Sequence, residues 1–432
     1  MRKNNNWIKK VGKVFNPGPR NGNDQSVLWV RRITLERKIQ DALEFPALHV
    51  CIDGPTGTGK SSLALTALSK MKIKVIDVQV TSNMNWNQFC SKVVRIENVR
   101  KEKNDTSQIE MGFDKMLPVF KMSKSFGDKE IIVGEDELEK VLSKIDEEII
   151  AKYLHKENLV LKIDDFERAN ENLTVRISDL AKVMINLSSK GNGKLLIIGA
   201  NEVYSNLLSA NISLENRIEH ISVGTLSDRK ESWKFLSEGF NSLGIGHPVK
   251  FHNRGDKKYT FEVLVELSKN CYDAANGLPK SLNELGKSIA MEAQDRNRVN
   301  DTDIRNVSKQ MVIKSFKKFR REYPQIFNLV NNNSLIPEVL KGLYKKGIGQ
   351  IHYIEDIESV SGLPYNQIEL AVAELERANF LVRTGSFKET IFVKSPNLAH
   401  NLSVIANDPD KYGIPKSVVN NTKQLMLPIN RN

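Results

Sequence analysis

Cysteine is nearly absent. Cys51, Cys90 and Cys271 are the only three in 432 residues. A sparse, odd set without metal-ligand spacing excludes a disulfide framework and a zinc site, and leaves reduced, buried thiols. No stretch approaches the roughly 18 uninterrupted apolar residues of a membrane helix, and Met1-Arg2-Lys3-Asn4-Asn5-Asn6 lacks the apolar core of a signal peptide. The expected location is the cytoplasm. Acid is missing from Lys309 to Arg321, where Lys309, Lys314, Lys317, Lys318, Arg320 and Arg321 share a helical pattern with Val312, Ile313, Phe316 and Phe319. Such a basic amphipathic segment is either a solvated helix face or a contact for phosphates.

What is present is ordinary for a globular chain: 40% hydrophobic and 27% charged residues, long enough for two or three domains. Lys and Arg number 64 against 52 Asp and Glu, a net charge of +12 that favours a polyanionic partner without demonstrating one.

The most informative segment is Gly54-Pro55-Thr56-Gly57-Thr58-Gly59-Lys60-Ser61, of the form GxxxxGK[ST]. It stands between the apolar run 47–52 and the helix-forming stretch Leu63-Ala64-Leu65, and residues 54–61 with Ser62 are the expected nucleotide-binding residues of this loop. Three glycines let the backbone curl so that successive N–H groups point at phosphates, and the following helix adds the positive end of its dipole. Lys60 would reach the β- and γ-phosphates, and Ser61 would ligate Mg²⁺. ATP or ADP with Mg²⁺ is the expected ligand set, and the expected activity is ATP hydrolysis.

A second signature is Leu159-Val160-Leu161-Lys162-Ile163-Asp164-Asp165-Phe166-Glu167. A buried strand delivers one carboxylate to the metal and a neighbour to the attacking water. Asp164 is assigned to the metal; Asp165 is the first choice for the water and Glu167 the alternative. Asn201, closing the next apolar strand (194–201), is either a γ-phosphate sensor or a turn former. Arg217 is either an arginine finger offered to a neighbouring subunit or a surface residue. Lys280 follows Gly277-Leu278-Pro279 at a helix start and would meet the nucleotide from a lid.

Strands alternating with helices imply an α/β fold: a P-loop NTPase parallel sheet with a helical lid domain and a C-terminal winged-helix domain. The expected boundaries are an N-terminal arm at 1–30, a nucleotide core at 31–225 with an insertion at about 97–140 that contains short strands, a lid at 226–330, a winged helix at 331–402 and a tail at 403–432. One helix is expected over about 136–154, and another beginning at Asn300-Asp301 with Asp301 as its cap. In the winged helix, 364–379 would be the recognition helix. It carries Asn366 and Gln367 but also Glu369, Glu374 and Glu376, so phosphate contact would fall to Arg383, Lys388 and Lys394 of the wing.

Gly277-Leu278-Pro279-Lys280-Ser281-Leu282-Asn283-Glu284-Leu285-Gly286 resembles the GLPLAL-type motif of STAND ATPases, signalling relatives of AAA+ proteins that include the NB-ARC group. Residues 221–233 resemble the segment that enters their lid. The resemblance covers about residues 30–400 and implies that Lys60 and Ser61 are the phosphate and magnesium ligands, Asp164 and Asp165 the acidic pair, and Pro279 the lid proline near the adenine. Where the family closes its winged helix with His-Asp, this chain has Pro396-Asn397. Origin-recognition initiators of the AAA+ class share the domain order; Asn201 suits them, whereas Asp165 in place of Glu suits STAND proteins. Two functions follow from these likenesses. One is an ATP-driven molecular switch acting through self-assembly or a separate effector, as in prokaryotic or phage defence. The other is a DNA-binding initiator or loader.

Overall fold

The computed structural model describes residues 2–16, 32–71, 73–94, 142–200, 202–226, 229–247, 257–294, 296, 298–322, 325, 335–346, 352–378, 380–384 and 390–393. The short strands expected within 97–140, Asn201, Lys388, Lys394 and the tail all lie outside them. The chain divides into two compact units: Ile33–Asp53 with Thr66–Ser222, and Met1–Arg32 with Gly54–Leu65 and Val223–Asn432.

The first unit is a five-stranded parallel sheet. Its strands are β1 (His49–Asp53), β2 (Lys74–Gln79), β3 (Leu159–Asp164), β4 (Lys194–Ile198) and β5 (Ile218–Ser222), in the order β2-β3-β4-β1-β5. β1 and β4 are buried throughout, as the unbroken apolar runs of a sheet covered on both faces require. All five C-termini share one edge, and β4 lies between β1 and β3, which is where an open parallel sheet leaves a crevice for ligands. The helices Trp86–Val93, Glu147–Lys156, Glu171–Asn186 and Val203–Ala210 contribute to a core with Phe89, Leu161, Ile163, Ile177 and Ile197.

Two buried histidines staple this unit. His49 donates from Nε2 to the carbonyl of Ala181 (3.1 Å) and accepts the Leu195 N–H at Nδ1 (3.2 Å). His155 repeats the pattern with Met184 (2.8 Å) and Gly193 (3.1 Å). Burial drives the His49 pKa down to about 3, so the ring is neutral.

The second unit is largely helical: Arg229–Leu243, Lys257–Ala275, Pro279–Glu292 and Asp301–Glu322 are followed by Leu335–Lys346, β6 (His352–Tyr353), Ile354–Ser361, Tyr365–Arg377, β7 (Leu381–Thr384) and β8 (Thr390–Val393). The last three strands form an antiparallel sheet ordered β6-β8-β7.

Several expectations change here. Residues 2–14 are a helix (Arg2–Val14), not an arm: Val11, Val14 and Phe15 are buried with Phe240 and Leu285, and a Cβ on Gly286 would stand 2.2 Å from the Phe15 ring. The helix expected over 136–154 is interrupted before Asp146, whose side chain caps a new helix by accepting the Ile149 N–H at 2.9 Å. Because the helix Asp301–Glu322 begins at Asp301, Asn300 rather than Asp301 stands at the cap position, and Asp303 accepts the Asn300 N–H (2.8 Å).

Arg383, expected to contact phosphates, is ion-paired within the chain. Its guanidinium holds Glu369 through Nη1 (2.9 Å) and Nη2 (2.7 Å) and Glu376 through Nε (3.2 Å), and only 14% of the side chain is exposed. The hydrogen bond from Arg383 holds the Glu369 carboxyl below its usual range. Two acids of the helix Tyr365–Arg377, Glu369 and Glu376, are what occupy this arginine.

Candidate nucleotide site

The phosphate loop leaves the sheet directly after Asp53. Gly54, Gly57 and Gly59 have φ of 140°, 92° and 93°, a region L side chains avoid. At Gly54 space demands glycine as well, since a Cβ would stand 2.3 Å from the carbonyl oxygen of Val223. Thr58 is buried and donates from Oγ1 to the Pro55 carbonyl (2.9 Å). Lys60 opens the helix Lys60–Met71 and turns its ammonium back on the loop, 2.8 Å from the Gly54 carbonyl and 3.1 Å from that of Pro55. Ser61 is half-buried and Ser62 buried.

In the same unit the segment Gly277-Leu278-Pro279-Lys280 reaches this loop. The Lys280 N–H donates to the Gly57 carbonyl at 3.2 Å, and a Cβ on Gly57 would lie 3.0 Å from the Lys280 Cβ. Pro279 begins the helix Pro279–Glu292, where its missing N–H costs nothing. Gly277 (φ 63°) accepts the Leu226 N–H at 2.9 Å, and a Cβ there would meet the Leu226 oxygen at 2.3 Å. Lys280 itself is exposed.

The acidic residues Asp164, Asp165 and Glu167 belong to the sheet unit. Asp164 ends β3; its Oδ1 accepts the Asp165 N–H (3.0 Å) and its Oδ2 lies 3.2 Å from Nζ of Lys162. Asp165 is held at φ 56°, ψ 36°, the left-handed region, a conformation sparsely used outside functional turns. Its Oδ2 accepts from Nε2 of Gln79 at 2.8 Å. Glu167 turns toward the end of β4, where Oε2 accepts the Ala200 N–H (3.2 Å). Arg217 is exposed, and its carbonyl accepts the His49 N–H (3.0 Å).

Three groups escaped the sequence reading: Gln79, Lys162, and the pair of Asp53 with His220. The pairing of β2 with β3 sets Gln79 beside Asp164 and Asp77 beside Lys162, and no local pattern reveals such a register. Lys162 did carry a signal, as the one charged residue between Leu159 and Ile163. The cysteines are all buried. Burial raises the Cys51 thiol, with help from Asp53, and pushes Cys90 up to about 12, so neither supplies a thiolate.

Residues 43–207, which contain the loop and the acidic strand, match the family model of the AAA domain. The chain is an ATPase. Among solved structures, a Walker-type ATPase of Pyrococcus abyssi is similar at 14% identity, with 90% of this chain and 99% of that one covered and a TM-score of 0.48. The Aeropyrum pernix ORC1 protein in complex with DNA shares 13% identity over 89% of this chain and 95% of that one (TM-score 0.40). The Thermotoga maritima RuvB Holliday junction branch migration motor shares 13% identity over 92% and 99% (TM-score 0.41). No curated protein matches the sequence. Among the described residues, no helix of this ATPase is long and apolar enough to cross a membrane.

Proposed function

We propose that this ATPase is a molecular switch of the STAND kind, in which the helical unit reads the nucleotide through the segment Gly277–Lys280. The observation that carries this reading is the hydrogen bond from the Lys280 N–H to the Gly57 carbonyl. A lid residue bonded to the phosphate loop feels any change in that loop's path when a γ-phosphate arrives or leaves, and so differs in free energy between the two nucleotide states.

In this reading the main-chain amides of 54–62 and the Lys60 ammonium take the phosphates, and Pro279 and Lys280 close on the nucleotide. The positive-φ glycines with no room for a Cβ at Gly54 support a backbone cradle. Ser61 and Asp164 would hold Mg²⁺, for which a hydroxyl and a carboxylate are suitable hard donors. When bound, the ion would neutralise charge that builds on the phosphates. Asp165 orients the water. Glu167 is less suited, since its carboxylate already holds the Ala200 N–H. Asn201 and Arg217 are proposed as sensor and trans-acting finger. The domain order of core, lid and C-terminal winged helix is part of the same proposal, with strand and helix order in 335–393 as its support.

Sizing the protein with ADP and with a slowly hydrolysed ATP analogue tests the switch: a change in assembly state or partner capture between the two supports it, and identical behaviour in both opposes it.

A DNA-binding initiator is kept as a second reading because Lys314, Lys317, Lys318 and Arg321 are all exposed on the helix Asp301–Glu322, at spacings that share one face. Binding to duplex DNA that falls with log salt at a slope of about −0.9 per phosphate contact would favour it.

A further inference from the structure

A lysine in the interior of a parallel sheet is costly unless its charge is matched. Only 4% of the Lys162 side chain is exposed, and its ammonium faces three carboxylate oxygens: Oδ1 and Oδ2 of Asp77 at 3.0 and 2.9 Å, and Oδ2 of Asp164 at 3.2 Å. The arrangement follows from the fold. Asp77 is the registered neighbour of Lys162 across β2 and β3, and Asp164 stands two residues on, on the same face of β3. Asp77 is 55% exposed and Asp164 only 15%, so the lysine bridges a wet carboxylate and a largely dry one.

We propose that Lys162 is a positioning residue for the metal site: it orients the Asp164 carboxylate and tunes how strongly that carboxylate takes a divalent cation. The inference rests on the reading of Asp164 as the magnesium ligand. Two negative charges share one positive charge. Asp77 draws the ammonium toward itself and leaves Asp164 enough charge to accept a metal. Without Asp77 the ammonium would fall wholly on Asp164 and repel the incoming ion; without Lys162 the two carboxylates would attract it more strongly.

The test uses Mn²⁺ as the probe, titrated into the full chain with ADP and read by electron paramagnetic resonance. Lys162→Gln should tighten Mn²⁺ roughly tenfold and Asp77→Asn should weaken it several-fold. Lys162→Arg, which keeps the charge, should stay near wild type. Opposite signs separate electrostatic tuning from general damage, since both substitutions break the same ion pair and damage alone would weaken binding in each. Shifts in the same direction, or no shift in either, would overturn the proposal. Should Lys162→Gln fail to fold, Asp77→Asn still decides the matter, because an unchanged or tightened Mn²⁺ affinity contradicts it. Asp164→Asn keeps the underlying reading separate: Mn²⁺ affinity untouched by that change would remove Asp164 as the ligand, whatever Lys162 does.

Discussion

Nε2 of His220 lies 2.8 Å from Oδ2 of Asp53, a carboxylate only 1% exposed and the last residue before the phosphate loop. The imidazole in turn stacks on Tyr204, with ring centroids 4.2 Å apart and planes within 2°. β5 thus grips the end of β1 by a side chain as well as by the parallel ladder that sets Asp53 beside Ser222.

Removing the histidine would strand a buried carboxylate. His220→Phe keeps the stacking surface but removes the close contact with the Asp53 carboxylate, and is expected to destabilise the fold. Adding Asp53→Asn should recover part of that loss, because the neutral amide no longer needs the partner. Urea unfolding of the two single variants and the double variant measures this. Strict additivity would mean that the two groups do not interact.

Lys60→Ala is expected to abolish nucleotide binding while leaving the thermal midpoint within a few degrees of wild type. The ammonium bonds the loop carbonyls of Gly54 and Pro55, on the part-buried surface of the loop. Calorimetric titration with ATP reads the first and a melt the second. Unchanged affinity would refute the loop assignment.

Stability should fall in acid. The folded His49 pKa, about 3, is depressed below the ordinary 6.5, so the unfolded chain binds the extra proton first. The contribution is complete above about pH 6.5 and is lost as pH falls from there toward 3, by about 1.4 kcal/mol per unit. Denaturation midpoints at pH 7, 6 and 5 should show this slope, and His49→Gln should flatten it. An unaltered slope in the variant would assign the acid lability elsewhere.

The C-terminal cations should behave differently from one another. Arg383→Ala is expected to destabilise the antiparallel sheet and its helix without changing the salt dependence of any DNA binding, because its guanidinium is spent on Glu369 and Glu376. Lys317→Ala and Lys318→Ala should each reduce that slope by about 1 if the Asp301–Glu322 helix contacts phosphates. Filter binding across a salt series compares the three.

The features legible in the sequence were those whose physics is local. The phosphate loop is one contiguous octapeptide, and β1, β3 and β4 are short apolar runs that only a doubly covered sheet requires. β5 carries no such signal, because its edge position leaves Glu219 and His220 half-buried and breaks the apolar run. The helix Arg2–Val14 hid because Trp7, Val11 and Val14 are a thin stripe in a strongly polar stretch. The roles of Arg383 and Lys162 depend on partners brought close by helix packing and strand register, and neither can be read from spacing along the chain.

Hydrogen exchange at the Lys280 amide, compared between the ADP complex and the complex with a slowly hydrolysed ATP analogue, bears most directly on the switch. The bond from this amide to the Gly57 carbonyl should be protected to a different degree in the two states, by about tenfold for each 1.4 kcal/mol of coupling. The difference should vanish in Lys60→Ala. Equal protection in both complexes would contradict a lid that reads the nucleotide.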